Sequence, residues 1–432
     1  MLKRKMMERL MDWKRERGQE CLLVKGARQT GKTFIVEQFG KENYDSFIEI
    51  NFEETPSLRD VFDGDLAVPE MIKRLSLVMP GVRFIPGRTL LFLDEVQACP
   101  RARASLKFWA LDGRFDVIAT GSLLGINYRD IPSLPVGYER QVEMHSLDLE
   151  EFLWAIGLDE EGIGELRLHF QRREPVPESV NAALFRYLGE YMAVGGMPAV
   201  VNRYLASRNF NDVHEEQQKI LASYLDDIAK YADAAERPKA RNCYLSIPRQ
   251  LARENRKFQF ASVEGGGSAR KFGTSLAWLR DANLARFCLN VSTPTFPLAA
   301  YEREDQYKLY VNDIGLLIAM YGYDMKAAVI ENTLKGPAKG GVYENLVADI
   351  LTKRGQPLYY YKHAGSTQEI EFLLTREGGV IPVEVKSKNG TTPSLDAMLK
   401  REDVPWGYKL VRGNVGVADK KITLPLYMAL FI

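Results

Sequence analysis

The sequence of 432 residues has only four cysteines, Cys21, Cys99, Cys243 and Cys288, and only four histidines. The cysteines are scattered and form no C-x-x-C pair. That excludes a disulfide frame and a thiolate zinc site, and points to reduced thiols in a reducing compartment. His145, His169, His214 and His363 share no ligand spacing, so a histidine-built metal centre is not expected. No apolar run free of charge approaches the roughly 20 residues of a membrane-crossing helix, so no membrane partner is expected. An excess of one charge is also missing. With 58 Lys+Arg against 57 Asp+Glu the net charge is +1, too little for a chain-wide field that attracts nucleic acid, although a local patch is still allowed. The start, Met1-Leu2-Lys3-Arg4-Lys5, is basic but lacks the apolar core of a secretory signal. A cytoplasmic protein is expected. The balance, 46% hydrophobic and 27% charged residues, suits a folded globular chain, and the length implies roughly two to four domains.

What is present is more telling. Gly26-Ala27-Arg28-Gln29-Thr30-Gly31-Lys32-Thr33 fits G-x-x-x-x-G-K-[ST]. The glycines let backbone N–H groups turn inward around phosphates. The lysine can reach the β- and γ-phosphates, and the Thr33 hydroxyl can hold Mg²⁺. The context suits the motif: Cys21 to Val24 reads as a buried strand before it, and Phe34 to Phe39 continues as a helix whose positive end faces the phosphates. The pattern implies binding of a nucleoside triphosphate.

Around this loop, apolar runs at Cys21 to Val24, Phe47 to Phe52, Thr89 to Leu93 and Phe115 to Thr120 alternate with helical or loop segments, the rhythm of a parallel sheet. The third run ends in Asp94-Glu95, which places two acids at the ligand-facing rim of such a sheet. Asp94 is expected to bind the Mg²⁺ of MgATP and Glu95 to polarise the attacking water. The fourth run ends Thr120-Gly121-Ser122, where either hydroxyl, Ser122 or Thr120, is placed to sense the γ-phosphate. An opening helix with Met6, Leu10 and Trp13 on one face, stopped by Gly18, reads as a packing element.

Together, Gly-Ala-Arg-Gln-x-Gly-Lys-Thr, Leu-Asp-Glu-Val-Gln (Leu93 to Gln97), Thr-Gly-Ser (Thr120 to Ser122) and Leu-Glu-Glu-Phe-Leu (Leu149 to Leu153) resemble the prokaryotic AAA+ ATPases fused to a C-terminal domain of unknown function. Many members of that family carry Gly-Arg after the sensor strand. Here the stretch is Val136-Gly137-Tyr138-Glu139-Arg140, so an arginine finger is not assigned and Arg140 is the one candidate.

The middle of the chain departs from the balanced charge. Arg237 to Arg280 holds ten Lys or Arg against two Glu. Ser246-Ile247-Pro248 is expected to open a helix through Asn255, with Pro248 in its first turn. Ser268 caps a second helix carrying Phe272, Leu276 and Leu279, and Leu284 to Asn290 pairs with Pro297 to Tyr301 as a wing. Two short helices and a wing outline a winged helix-turn-helix, and the charge suits DNA phosphates.

After a flexible junction at Lys335 to Gly341, the expected order is a helix over Val342 to Arg354, strands at Leu358 to Lys362, Gln368 to Leu374 and Val380 to Ser387, a helix at Leu395 to Lys400 and a strand at Tyr408 to Val411. Glu384 and Lys386 share one strand face, as do Glu369 and Glu371. Convergent Glu344, Glu371 and Glu384 would hold Mg²⁺ through oxygen ligands, and Lys386 would orient a water for phosphodiester hydrolysis. This resembles the PD-(D/E)xK endonuclease-like fold, with Glu371 standing where that motif usually has Asp.

The expected fold class is α/β in three parts. These are a P-loop AAA+ ATPase domain (1–172), a mostly helical winged-helix domain (178–332) and an α/β restriction-endonuclease-like domain (336–432). The expected function is ATP hydrolysis with Mg²⁺ coupled to action on DNA. The competing expectation is an ATP-driven switch whose nuclease-like part is catalytically silent. A homo-oligomer is compatible with either.

Overall fold

A computed structural model of the chain describes residues 1–16, 20–122, 135–363, 365, 368–387 and 390–432. It divides into two compact units: Arg4–Ser146 with Asp281–Asn283, and Met1–Lys3 with Leu147–Arg280 and Leu284–Ile432.

In the first unit the apolar runs become strands β1 (Cys21–Lys25), β2 (Ser46–Asn51), β3 (Thr89–Asp94) and β4 (Asp116–Gly121), joined by β5 (Glu139–Glu143). All pair in parallel, in the order β2-β3-β4-β1-β5. The side-chain period of two splits β3 between the faces. Leu91 and Leu93 pack with Ile48, Leu106 and Trp109, while Leu90 and Phe92 pack with Leu10, Trp13 and Phe39. A sheet covered on both faces requires the unbroken apolar run seen at β3. Helices α1 (Lys5–Glu16) and α2 (Lys32–Asn43) cover one face, and α3 (Val68–Val78) and α4 (Pro100–Asp112) the other. Met6, Leu10 and Trp13 of α1 are buried as expected; Gly18 lies outside the described residues. Strand β5 was not anticipated. Its sequence, Glu-Arg-Gln-Val-Glu, is polar because it is an edge strand, and Arg103 of α4 fastens it through a buried ion pair to Glu139 at 2.7 Å.

The second unit begins with helices α5 (Leu149–Ala155), α6 (Glu160–Arg172), α7 (Glu178–Val194), α8 (Pro198–Ser207), α9 (Phe210–Tyr231), α10 (Arg237–Leu251) and α11 (Ala269–Asp281). Strands β6 (Ala285–Val291) and β7 (Glu302–Val311) follow. Then come α12 (Ile314–Tyr321), α13 (Asp324–Ile330) and α14 (Gly336–Lys353). The C-terminal part adds β8 (Tyr359–Lys362), β9 (Glu369–Arg376), β10 (Gly379–Val385), α15 (Pro393–Met398), β11 (Gly407–Val411), β12 (Gly416–Ala418) and β13 (Lys421–Pro425). Its mixed sheet runs β12-β13-β11-β10-β9-β8-β6-β7.

Three features differ from the sequence expectation. Helix α10 starts at Arg237, so Pro238 is the first-turn proline and Pro248 lies inside the helix. There it removes one i→i−4 donor, and the Tyr321 hydroxyl donates to its carbonyl at 2.6 Å. The expected wing strand at Pro297 to Tyr301 is not one: Leu298–Tyr301 is a 3-10 turn, and β6 pairs instead with β7 (Glu302–Val311). Because β6 also pairs in parallel with β8, the hairpin extends the C-terminal sheet instead of standing apart as a wing. The Lys335–Gly341 junction is the start of α14. Its glycines serve close approach: a Cβ on Gly341 would sit 2.1 Å from the Leu251 carbonyl oxygen. Among the described residues no helix is long and apolar enough to cross a membrane.

Candidate functional site

At the carboxyl edge of the parallel sheet the loop Gly26–Thr33 passes from β1 into α2. Gly26 has φ of 153°, and a Cβ there would lie 2.1 Å from the Met144 carbonyl oxygen, so only glycine fits. Gly31 caps α2 with φ of 90°, and Gln29 also adopts the left-handed region at φ 63°. The loop is braced from inside and outside. Thr30 donates to the Ala27 carbonyl at 3.0 Å, and Arg4 donates to the Thr30 carbonyl at 3.0 Å and to that of His145 at 2.7 Å. Arg28 pairs with Glu53 at 3.1 Å. Buried Lys32 donates from Nζ to the Gly26 and Ala27 carbonyls at 3.0 and 2.9 Å. The loop therefore presents a fixed ammonium group and the positive end of a helix to one small volume, the arrangement anions favour.

Asp94, at the end of β3, is 1% exposed and reached from three directions. Its Oδ2 accepts from Thr33 Oγ1 at 2.8 Å and from Asn51 Nδ2 at 3.1 Å, and its Oδ1 accepts from Thr120 Oγ1 and from the Glu95 amide at 3.0 Å. Strand order explains the convergence, because β4, which brings Thr120, lies between β1 and β3, while β2 brings Asn51 opposite Asp94. This donor set of hydroxyl and carboxylate oxygens fits a hard cation such as Mg²⁺. Asn51 was missed in the sequence; a polar side chain ending a strand beside the acidic strand was the only available signal. Glu95 holds φ 54°, an uncommon conformation for a non-glycine residue and one that collects at functional sites. Gln97 and, at 3.5 Å, Ser122 donate to its Oε2. The structure thus brings together Lys32, Thr33, Asp94, Glu95 and Ser122. It does not bring Arg140 in as a free cation, because Arg140 is bound to Glu16 and, at 3.1 Å, to Glu20.

The acidic residues expected to hold metal in the C-terminal part lie in a second, separate cluster. Glu344 of α14 is buried, with Oε1 2.6 Å from Arg256 and Oε2 3.0 Å from both Lys308 Nζ and the Tyr310 hydroxyl. Lys308, 1% exposed, also lies 2.6 Å from Glu369, which Lys362 meets at 2.9 Å. Lys386 is 2.6 Å from Glu384 and 3.9 Å from Glu371. The Leu395 amide donates to Glu384, and the Val385 amide to Glu371. Burial and the nearby Glu344 push the Glu371 carboxyl up to about 8. Burial is the largest single influence on Glu369 and would raise it, but the charges and hydrogen bonds of Lys308 and Lys362 together outweigh burial and hold that carboxyl down to about 2.

Four carboxylates here face four cations of the chain itself. Among the described residues no group of three or more His, Cys, Asp or Glu is arranged to hold a metal ion. In the expected set Glu344, Glu371 and Glu384, Arg256 and Lys308 take both Glu344 oxygens, Lys386 takes one Glu384 oxygen, and Glu371 is met by the Val385 amide with Lys386 at 3.9 Å. These residues do not fit a divalent cation as they stand.

Three segments of the chain match known protein families. Residues 18–153 match a AAA domain, residues 185–327 a domain of unknown function (DUF8612), and residues 339–427 another domain of unknown function (DUF4143). The chain therefore carries a AAA ATPase domain, which implies a P-loop NTPase. Among solved structures, a Walker-type ATPase of Pyrococcus abyssi is similar at 15% identity and a TM-score of 0.43, covering 74% of this chain and 96% of that one. The Aeropyrum pernix ORC1 protein in complex with DNA is similar at 12% identity and a TM-score of 0.32, covering 77% and 95%. AMPPCP-bound DnaA from Aquifex aeolicus is similar at 13% identity and a TM-score of 0.30, covering 63% and 85%. No curated protein matches the chain.

Proposed function

We propose, with a AAA domain at residues 18–153 as the premise, that this chain is an ATP-hydrolysing switch that acts on DNA. The observation that carries this is the buried Asp94 carboxylate, held at once by Thr33 of the phosphate loop and by Thr120 of β4. The backbone amides of residues 26–33 and the α2 N-terminus would receive the phosphates, and Lys32 would exchange its two carbonyl partners for phosphate oxygens. Thr33 and Asp94 would hold Mg²⁺, which supplies charge neutralisation at the phosphates when bound. Glu95, held by Gln97 and Ser122, would orient and polarise a water. Ser122, one residue past β4, would report on the terminal phosphate. Roles then follow segments and not compact units: 1–172 for ATP, 178–332 for DNA, and 336–432 as an endonuclease-like scaffold.

A second reading makes that scaffold a Mg²⁺-dependent nuclease. The strand order around β9 and β10 and the presence of Lys386 beside Glu371 and Glu384 favour it. The internal cations favour the silent form, which we adopt. A plasmid-nicking assay with Mg²⁺ or Mn²⁺ decides between them. The adopted reading expects no nicking by the wild type; nicking that Lys386→Ala or Glu384→Ala abolishes, with ATP turnover intact, would establish the nuclease instead.

A further inference from the structure

We infer that the outward face of α10 is a phosphate-tracking surface that holds duplex DNA by its backbone, without reading sequence. The inference rests on the DNA reading above and names the residues that carry it. From Arg237 to Arg253 the chain has five basic residues and no acidic one. Arg237, Arg241 and Arg249 of α10 are exposed and recur at multiples of four, with exposed Leu245 completing the series and exposed Arg253 following two residues past the helix end. At 1.5 Å rise and about 3.6 residues per turn, four positions advance a helix by roughly 6 Å and turn it by about 40°, so the guanidinium groups of α10 follow one ridge that winds slowly about the axis.

No ion pair among the described residues joins Arg237, Arg241, Arg249 or Arg253 to a carboxylate. Among the described residues, other exposed arginines face a carboxylate, as Arg114 faces Asp112, Arg203 Asp212 and Arg88 Asp45. On α10 Lys239 is paired with Glu236 at 2.6 Å, but the hydrogen-bond partners of the arginines are neutral oxygens. Arg237 donates to the Ala232 carbonyl, Arg249 to the Ser262 carbonyl and Arg253 to the Ser262 hydroxyl. Neutral oxygens orient a guanidinium and leave its charge for a polyanion.

The helix-turn-helix alternative is poorer in free charge. On α11, Lys271 is paired with Glu264 and Arg280 lies over the Phe287 ring. Its hairpin, β6–β7, is committed to the C-terminal sheet. Contacts made through phosphates fix position but carry no sequence information. A groove of about 520 Å³ runs beside the stripe, lined by Leu225, Leu245, Pro248, Arg249 and Tyr321 among others. An acidic amphipathic peptide is therefore the competing occupant, and the test includes it.

The experiment is fluorescence anisotropy of the full chain with labelled duplexes of two unrelated sequences, over a salt series, for wild type, Arg241→Ala, Arg249→Ala and Arg241→Lys. Both duplexes should bind alike. Each arginine-to-alanine change should flatten the slope of log K against log salt by about 0.9, Arg241→Lys should keep the slope, and ATP turnover should be unchanged. DNA binding with slopes unaffected by these variants would overturn the stripe and leave the DNA reading standing. Absence of duplex binding at low salt would overturn both. Displacement of a bound acidic peptide by neither duplex, with peptide affinity lost in Leu245→Asp, would assign the surface to a protein partner and also overturn the proposal.

Discussion

Replacing Lys308 by Met tests the buried ion cluster, and the size of the effect follows from its geometry. Lys308 is 1% exposed and lies 3.0 Å from Glu344 and 2.6 Å from Glu369. Methionine keeps most of the aliphatic volume, so the loss is electrostatic and not a cavity. Removing one partner of a buried pair costs about 3–5 kcal/mol because it strands the other charge. Here neither carboxylate is fully stranded: Glu344 keeps Arg256 and the Tyr310 hydroxyl, and Glu369 keeps Lys362. The cost should therefore fall at the lower end, about 3 kcal/mol, or on the order of 6 °C in a thermal melt of a large domain. The pH dependence gives a second handle. Glu369 is held down to about 2 in the fold from an ordinary value of 4.5, despite the burial that opposes this. Its contribution is present above about pH 4.5 and is lost as pH falls toward about 2. The gap between wild type and Lys308→Met should be widest at neutral pH and should narrow on acidification. Equal melting at neutral pH, or a gap that does not change in acid, would refute the assignment of Lys308 as the cluster's built-in counter-ion.

Other predictions concern the nucleotide site. Glu95→Gln keeps the side chain's shape and should bind ATP normally while turnover falls by roughly 10²- to 10⁴-fold, read in parallel binding and phosphate-release assays. Gly26→Ala places a methyl 2.1 Å from the Met144 carbonyl oxygen, so it should cost about 3 kcal/mol or more in a denaturant melt and remove ATP binding. A stable, ATP-binding Gly26→Ala protein would mean that the loop does not turn as described.

The sequence was readable where one strong local pattern dictated a local structure. The apolar runs at 21–24 and 89–93 form strands because a doubly covered parallel sheet leaves them no polar positions, and the phosphate loop lies between strand and helix as its glycines require. The helix–strand order from Val342 to Val411 was legible for the same reason, whereas β12 and β13 were not anticipated. What escaped depended on distant partners. Strand β5 is polar because its burial comes from one face and from Arg103. Pro248 looked like a helix start, yet packing of α10 carries the helix from Pro238 through that position. Glu344, Glu371 and Glu384 were identified as a set, but Lys308 and Arg256, 36 and 88 positions from Glu344, gave no local sign that they would occupy the Glu344 oxygens. Asn51 reaches Asp94 only because β2 lies beside β3.

The most direct measurement is equilibrium titration of the full chain with MgATP, comparing wild type with Lys32→Ala. Saturable binding by wild type, lost when the Lys32 ammonium is removed from the loop it shares with Gly26 and Ala27, is the predicted result. Equal binding by both proteins, or none by wild type, would contradict the assignment of residues 26–33 as the seat of the triphosphate.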